Sequence, residues 1–262
     1  MVCLKWANPS SKENKVHSIH INKNYRPESI CIGGSPVERI GEAFKTKFYK
    51  FLGILVDDQL NWHHHINSLR SKLSSSNFAL GNTKSKLSYK ARLHIFHSLI
   101  NSHINYCAPI FSNTKCKELK LLEYLHKKAL RHLTLSKYND HTSILYKKHK
   151  LTNFSDTLLL QGATLLHNYR HDRLPDSFSN MFSFKIDTDK NRLRNEDGTF
   201  ETNSSKFISP LQSAIHFWNR IPIRIREIKT TSIFKNEIKE HFISKYEDFC
   251  IKDKCYVCNK TQ

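Results

Sequence analysis

The sequence predicts an α+β fold that is mostly α, with short antiparallel strands leading into a helical body. Three observations predict it. Near residue 63 the hydrophobic pattern changes from alternation to a helical period. Gly 7 and Pro 7 are sparse for 262 residues, which argues against a sandwich or barrel joined by many tight turns. Apolar residues at 39% and aromatics at 11% are enough to bury a core at this length.

The elements follow in chain order. His17-Ser18-Ile19-His20-Ile21 and Ser29-Ile30-Cys31-Ile32-Gly33 alternate as half-buried strands do, and Gly33-Gly34 invites a turn. Residues 48–56 are a short apolar run suited to a buried strand. Ile66, Leu69, Leu73 and Leu80 then form one helical stripe that ends near Gly81-Asn82. Leu93, Phe96, Ile100 and Ile104 mark a second helix, for which Ser88 is the expected N-cap. Leu119, Leu122, Leu125, Ala129 and Leu133 mark a third. Residues 154–169 read as another helix, closed by Pro175, and the polar stretch 185–206 reads as a loop or flexible linker. A helix over 211–218 precedes Ile221-Pro222, and a last one starts near Ser232 with Phe234, Ile238 and Phe242 on one side. No internal repeat is visible.

Composition narrows the function classes. No stretch approaches the ~18 apolar residues of a membrane span, and the N-terminus lacks the apolar core of a signal peptide. The expectation is an intracellular protein of nucleus or cytoplasm, neither secreted nor membrane-bound. Seven cysteines, an odd number, then read as reduced. Charge is the strongest clue. Lys+Arg 42 against Asp+Glu 23 gives +19, and residues 1–150 hold +16 of it. No acidic residue lies between Asp58 and Glu118, while Arg70, Lys72, Lys84, Lys86, Lys90, Arg92, Lys115 and Lys117 fall there. Solvated helices usually mix signs, because like charges at i,i+4 repel. A one-signed stretch of this length suits a surface for a polyanion, most often nucleic acid; a general lysine bias in composition is the plainer alternative.

Three clusters bear on metals. Asp57-Asp58 follows an apolar strand, where a paired carboxylate can bind Mg²⁺, but two-metal nucleotidyl transfer needs a further carboxylate. Residues 1–56 contain no Asp, so the pair reads better as turn residues. His63, His64 and His65 are consecutive on a helix and point ~100° apart, so they cannot converge on one ion. At the C-terminus, Cys255 and Cys258 have zinc-knuckle spacing, with Cys250 nearby; tetrahedral zinc would need a fourth ligand from His241, Cys3 or Cys31.

A family resemblance begins at the same strand. Tyr49-Lys50-Phe51-Leu52-Gly53-Ile54, Asp57, Leu60-Asn61-Trp62 and His65-Ile66 resemble a segment of the reverse transcriptases of non-LTR (LINE, jockey-like) retrotransposons. That family writes it as aromatic-Leu-Gly, a few apolar residues, Asp, Leu-x-Trp and His-Ile. The likeness continues in order through Lys72-Leu73, Leu87, residues 93–100, residues 104–107 and residues 122–131. Phe217-Trp218-Asn219-Arg220-Ile221-Pro222, Ile225-Arg226, Ser232 and Phe234-Lys235 with Lys239 resemble its C-terminal signature, with Ile221 and Ile238 in place of Leu.

The resemblance implies the C-terminal part of an RNA-directed DNA polymerase. Its primer-grip hairpin would fall on Phe51, Leu52 and Gly53, where a glycine lets a nucleic-acid backbone approach closely. Its thumb would follow, holding a template–primer duplex (RNA–DNA or DNA) through phosphates with Arg70, Lys72, Lys84, Lys86, Lys90 and Arg92. Trp62, His65, Trp218, Asn219, Pro222, Phe234 and Lys235 would be structural motif residues. The implied organisation is a palm-edge β segment at 1–62, a helical thumb at 63–150 and a connecting helical segment at 151–184. A flexible linker at 185–208 and a C-terminal helical segment with a cysteine-containing tail at 209–262 complete it. In the family the catalytic and endonuclease parts precede this region, so no catalytic residue is assigned here. The whole enzyme would use Mg²⁺ and dNTPs, zinc is an option at the tail, and the missing palm and endonuclease parts are the expected protein partners. The rival reading is a stand-alone nucleic-acid-binding or scaffold protein, or the inert product of a decayed element.

Overall fold

The computed structural model of the protein describes residues 17–18, 31–32, 35–36, 38–39, 47–112, 118–179, 181–184, 198–202 and 211–246. Its fold is α+β and mostly helical. The chain divides into two compact units, Met1–Ser68 with Cys116–Glu118, and Leu69–Lys115 with Leu119–Gln262.

In the first unit, β1 (His17–Ser18), β2 (Cys31–Ile32), β3 (Ser35–Pro36) and β4 (Glu38–Arg39) are two-residue strands. β2 pairs antiparallel with β3, but β1 pairs with β4 in parallel. The sequence predicts antiparallel strands; the long connection from β1 to β4 is what a parallel pair requires. Residues 48–56 form a hairpin rather than one buried strand. β5 (Tyr49–Phe51) and β6 (Ile54–Val56) pair antiparallel, with Phe51 opposite Ile54. Leu52 and Gly53 both take positive φ, 46° and 86°, as the two central residues of a type I′ turn must. Gly53 accepts this freely and Leu52 does not, so the register rests on the glycine.

Asp57 shapes the turn into the first helix. Its Oδ1 accepts from the backbone N–H of Gln59 at 2.9 Å and of Asn61 at 3.1 Å, and its Oδ2 from that of Trp62 at 3.3 Å. This buried carboxylate holds Leu60 and Trp62 at φ of 54° and 63°, where bulky residues are rare. α1 (His63–Thr83) starts as Trp62 O accepts from Ile66 N at 2.8 Å.

The second unit carries the rest of α1 and the other helices. α2 (Tyr89–Ile95) is capped by Ser88, whose Oγ accepts from Ala91 N at 3.3 Å. It runs on through a π-helical segment, Phe96–Asn101, into α3 (Ser102–Asn105), and α4 (Ala108–Phe111) follows. α5 (Glu118–Thr134) shows the expected stripe, with Leu122, Ala129 and Leu133 buried. α6 (Thr142–Lys148) leads to α7 (Phe154–Arg170), whose N-cap Asn153 accepts from Asp156 N at 2.8 Å. A 3-10 turn at Asp176–Phe178 follows, then α8 (Gln212–Trp218), α9 (Ile223–Arg226) and α10 (Thr231–Ser244).

α7 is the central strut, packing against α3, α4, α8 and α10. Its inner face joins Leu211, Ile215, Trp218, Ile225, Phe234, Ile238 and Phe242 in one core. Phe200 belongs to that core and is fully buried, although the sequence places it in a flexible linker. Gly198 explains how this backbone approaches so closely. Its φ is +90°, its carbonyl accepts from Trp218 Nε1 at 2.8 Å, and a Cβ there would meet the Arg170 guanidinium. Among the described residues no helix is long and apolar enough to cross a membrane.

Candidate nucleic-acid interface

The cations of the acid-free stretch divide into two kinds. Arg70 and Lys72 on α1, Lys86 in the α1–α2 loop and Lys90 on α2 are exposed, and Lys84 is half-buried. Arg92 is turned inward and buried. Its Nε donates to Leu133 O at 2.8 Å, while Nη1 donates to Lys84 O at 3.1 Å and also to Leu87 O. The expected phosphate ligand is therefore a staple. It satisfies a C-terminal carbonyl of α5, where a cation is favoured, and ties the α1–α2 loop to that helix end. Lys115 and Lys117 lie outside the described residues, as do Cys250, Cys255 and Cys258.

The staple sets the loop beside side chains that the sequence pattern does not single out. Lys84 Nζ donates to His132 Nδ1 at 3.4 Å. Burial pushes the His132 imidazole below its ordinary range, and Lys84 and Lys128 act the same way, so the ring stays neutral near pH 7. Lys128, Arg131 and His132 lie on the last two turns of α5. Their signal in the sequence is the i,i+4 spacing of Lys128 and His132 on a helix whose apolar stripe is already legible.

Replacing Arg92 with alanine leaves three carbonyls without their donor. The expected loss is about 2–4 kcal/mol of stability, read as a lower urea midpoint. Hydrogen exchange at the amides of residues 84–88 should accelerate in step. An unchanged midpoint would mean that the staple does not hold the loop.

In the first unit the hairpin places Leu52 outward, 63% exposed, with Phe51 half-buried and Gly53 at the turn. Trp62 and His65 are buried, and His65 Nδ1 accepts from Leu55 N at 3.5 Å, joining strand to helix. The residues here do not fit Mg²⁺. Asp57 already takes three amides, and among the described residues no group of three His, Cys, Asp or Glu is placed to hold a metal ion.

The C-terminal motif residues do gather. Trp218 and Phe234 share the core with ring centroids 5.7 Å apart, and Phe234 stacks on His167 at 4.2 Å. Asn219 brackets Phe200 as a neighbouring strand would, its Oδ1 accepting from Phe200 N at 3.0 Å and its Nδ2 donating to Phe200 O at 2.9 Å. Pro222 opens α9, its carbonyl accepting from Ile225 N at 2.9 Å. Lys235 stands apart on the exposed side of α10.

In sequence the chain is similar to an RNA-directed DNA polymerase of a transposon. It is 24% identical over 168 residues to a Drosophila melanogaster protein described as "Probable RNA-directed DNA polymerase from transposon X-element". The match covers 63% of this chain and 17% of that protein. No family model matches the chain, and no solved structure does.

Proposed function

We propose that the chain is the C-terminal part of a non-LTR, jockey-like retrotransposon reverse transcriptase, and that its helical body grips template–primer nucleic acid through the phosphate backbone. The observation that carries this reading is the cation set Arg70, Lys72, Lys86 and Lys90, all exposed, together with half-buried Lys84, in a stretch without carboxylates. The similarity to a transposon polymerase supports it independently. In this reading residues 1–62 are the palm edge, with Phe51, Leu52 and Gly53 as primer grip, and residues 63–150 are the thumb. Residues 151–184 connect to the C-terminal segment at 209–262. In this reading the part played by these residues is to hold the template–primer duplex.

Phosphate contacts release counterions, so affinity should fall with salt. Five cations on phosphates give a slope of log K against log salt of roughly −4 to −5. Removing Lys86 and Lys90 together as alanines should make that slope shallower by about 2 units. The measurement is anisotropy titration of an RNA–DNA hybrid across a salt series. A slope near zero for the unaltered chain would end the proposal.

A further inference from the structure

Beyond α5 the chain makes a turn whose order exceeds what a connecting loop needs. Leu135 ends the helix with φ of +57°, and Ser136 N donates back to Arg131 O at 3.1 Å, the long C-terminal bond of a Schellman-type stop. Lys137 N donates to Asp140 Oδ2 at 2.7 Å and Asp140 N to Lys137 O at 3.1 Å, closing the turn on itself. Arg131 Nη2 then donates to Asp140 O at 3.3 Å, fastening the turn to the helix. The residue displayed by this scaffold is Tyr138. Its ring lies 5.7 Å from the Arg131 guanidinium carbon, yet 73% of the residue faces solvent.

With a cation over one face and water on the rest, the ring has an open face available for stacking. Its surroundings define the missing neighbour. Lys137 adjoins it in sequence, and Lys128, Arg131 and His132 occupy the helix end from which the turn departs. Lys84 reaches the same helix end through His132. The turn's single carboxylate, Asp140, is engaged by the Lys137 amide. A flat apolar face over the Arg131 guanidinium, next in sequence to Lys137, suits a nucleobase attached to a phosphate chain, since base–aromatic stacking and phosphate pairing act together on unpaired strands.

We infer that Tyr138 is a stacking platform for an unpaired base, with Lys128, Lys137 and Lys84 taking the adjoining phosphates. The preferred ligand is thus a duplex that continues into a single strand, not a blunt duplex. This deepens the phosphate-gripping reading and rests on it.

The test compares the full chain with Tyr138→Ala and Tyr138→Phe, using fluorescence anisotropy. Probes are a blunt DNA duplex and the same duplex carrying a single-stranded extension with 2-aminopurine. Stacking is worth about 1–3 kcal/mol per base, so Tyr138→Ala should bind the extended probe roughly 5- to 100-fold more weakly. Binding to the blunt duplex should not change, Tyr138→Phe should behave as the unaltered chain, and 2-aminopurine fluorescence should be quenched only when an aromatic occupies position 138. Equal losses on both probes, or no loss on the extended one, would overturn the platform while leaving the phosphate grip intact. Salt-insensitive binding of the unaltered chain to both probes would overturn the grip and the platform together. The exposed position of Tyr138 keeps the fold out of the comparison.

Discussion

Replacing Trp218 with alanine is expected to remove about 3–5 kcal/mol of stability, the range for emptying a fully buried aromatic site. For a domain of this size that is a large share of the whole. The indole is wholly buried between Phe200 and Phe234, at centroid distances of 5.8 and 5.7 Å, and its Nε1 holds the Gly198 carbonyl. Alanine therefore opens a cavity and also strips a carbonyl of its donor. Trp218→Phe refills most of the space and loses only the hydrogen bond, so about 1–2 kcal/mol is expected. Asn219→Ala removes the two bonds to Phe200 from the same clamp. The double variant should then lose clearly less than the sum of the singles, because either change alone releases residues 198–200. Urea midpoints give the energies, and exchange at the Phe200 amide gives the mechanism. Additive losses, or a protected Phe200 amide in Trp218→Ala, would refute the clamp.

This clamp marks where sequence reasoning stops. The long stripes were readable because period and burial coincide: Ile66, Leu69, Leu73 and Leu80 on α1 are all buried, as are Phe234, Ile238 and Phe242 on α10. Phe200 was hidden because its partners come 18 and 19 residues later, Trp218 by ring packing and Asn219 through backbone atoms, which no periodicity records. At 48–56 the apolar pattern alone reads as one strand, because nothing in it but the positive φ of Leu52 and Gly53 breaks the run, whereas the family resemblance implies a hairpin there. Short helices such as α4, α6 and α9 span too few turns to establish a period.

Arg92 shows a subtler failure. It stands four residues before Phe96 and eight before Ile100, both fully buried, so its place on the inner stripe was legible. Charge argued the other way and prevailed, since arginine is rarely buried without partners. Its partners are three carbonyls at a loop and a helix end, a recipient set that composition cannot reveal. Lys72, Lys86 and Lys90, by contrast, lie exposed on the surface.

Acidification is expected to destabilise the chain steeply, with His126 a principal cause. The imidazole is fully buried and makes two hydrogen bonds whose directions are mutually consistent. Tyr146 OH, whose proton burial holds tightly, donates to Nδ1 at 2.8 Å, leaving Nε2–H to donate to Asn101 Oδ1 at 3.2 Å. Asn101 closes the π-helical segment, where the wider turn shifts side-chain placement relative to a regular helix. Among the described residues no carboxylate compensates a charge at His126; burial, with Lys127 adding to it, pushes its pKa down to about 3. The unfolded chain takes up this proton near pH 6.5, whereas the folded chain refuses it until about pH 3. Stability from this group is thus complete above pH 6.5 and declines by up to ~1.4 kcal/mol per pH unit as pH falls toward 3. His167, also held low by burial, adds to the slope, while Asp156, raised by burial, opposes it at the acid end. His126→Leu leaves the Tyr146 and Asn101 groups without partners, so it should start about 2–4 kcal/mol less stable at pH 7. Its stability should nevertheless change less between pH 7 and 4 than that of the unaltered chain, because one proton fewer separates the two states. Urea melts at several pH values read both effects, and parallel pH curves for the two proteins would show that His126 is not the group whose protonation unfolds the helical body.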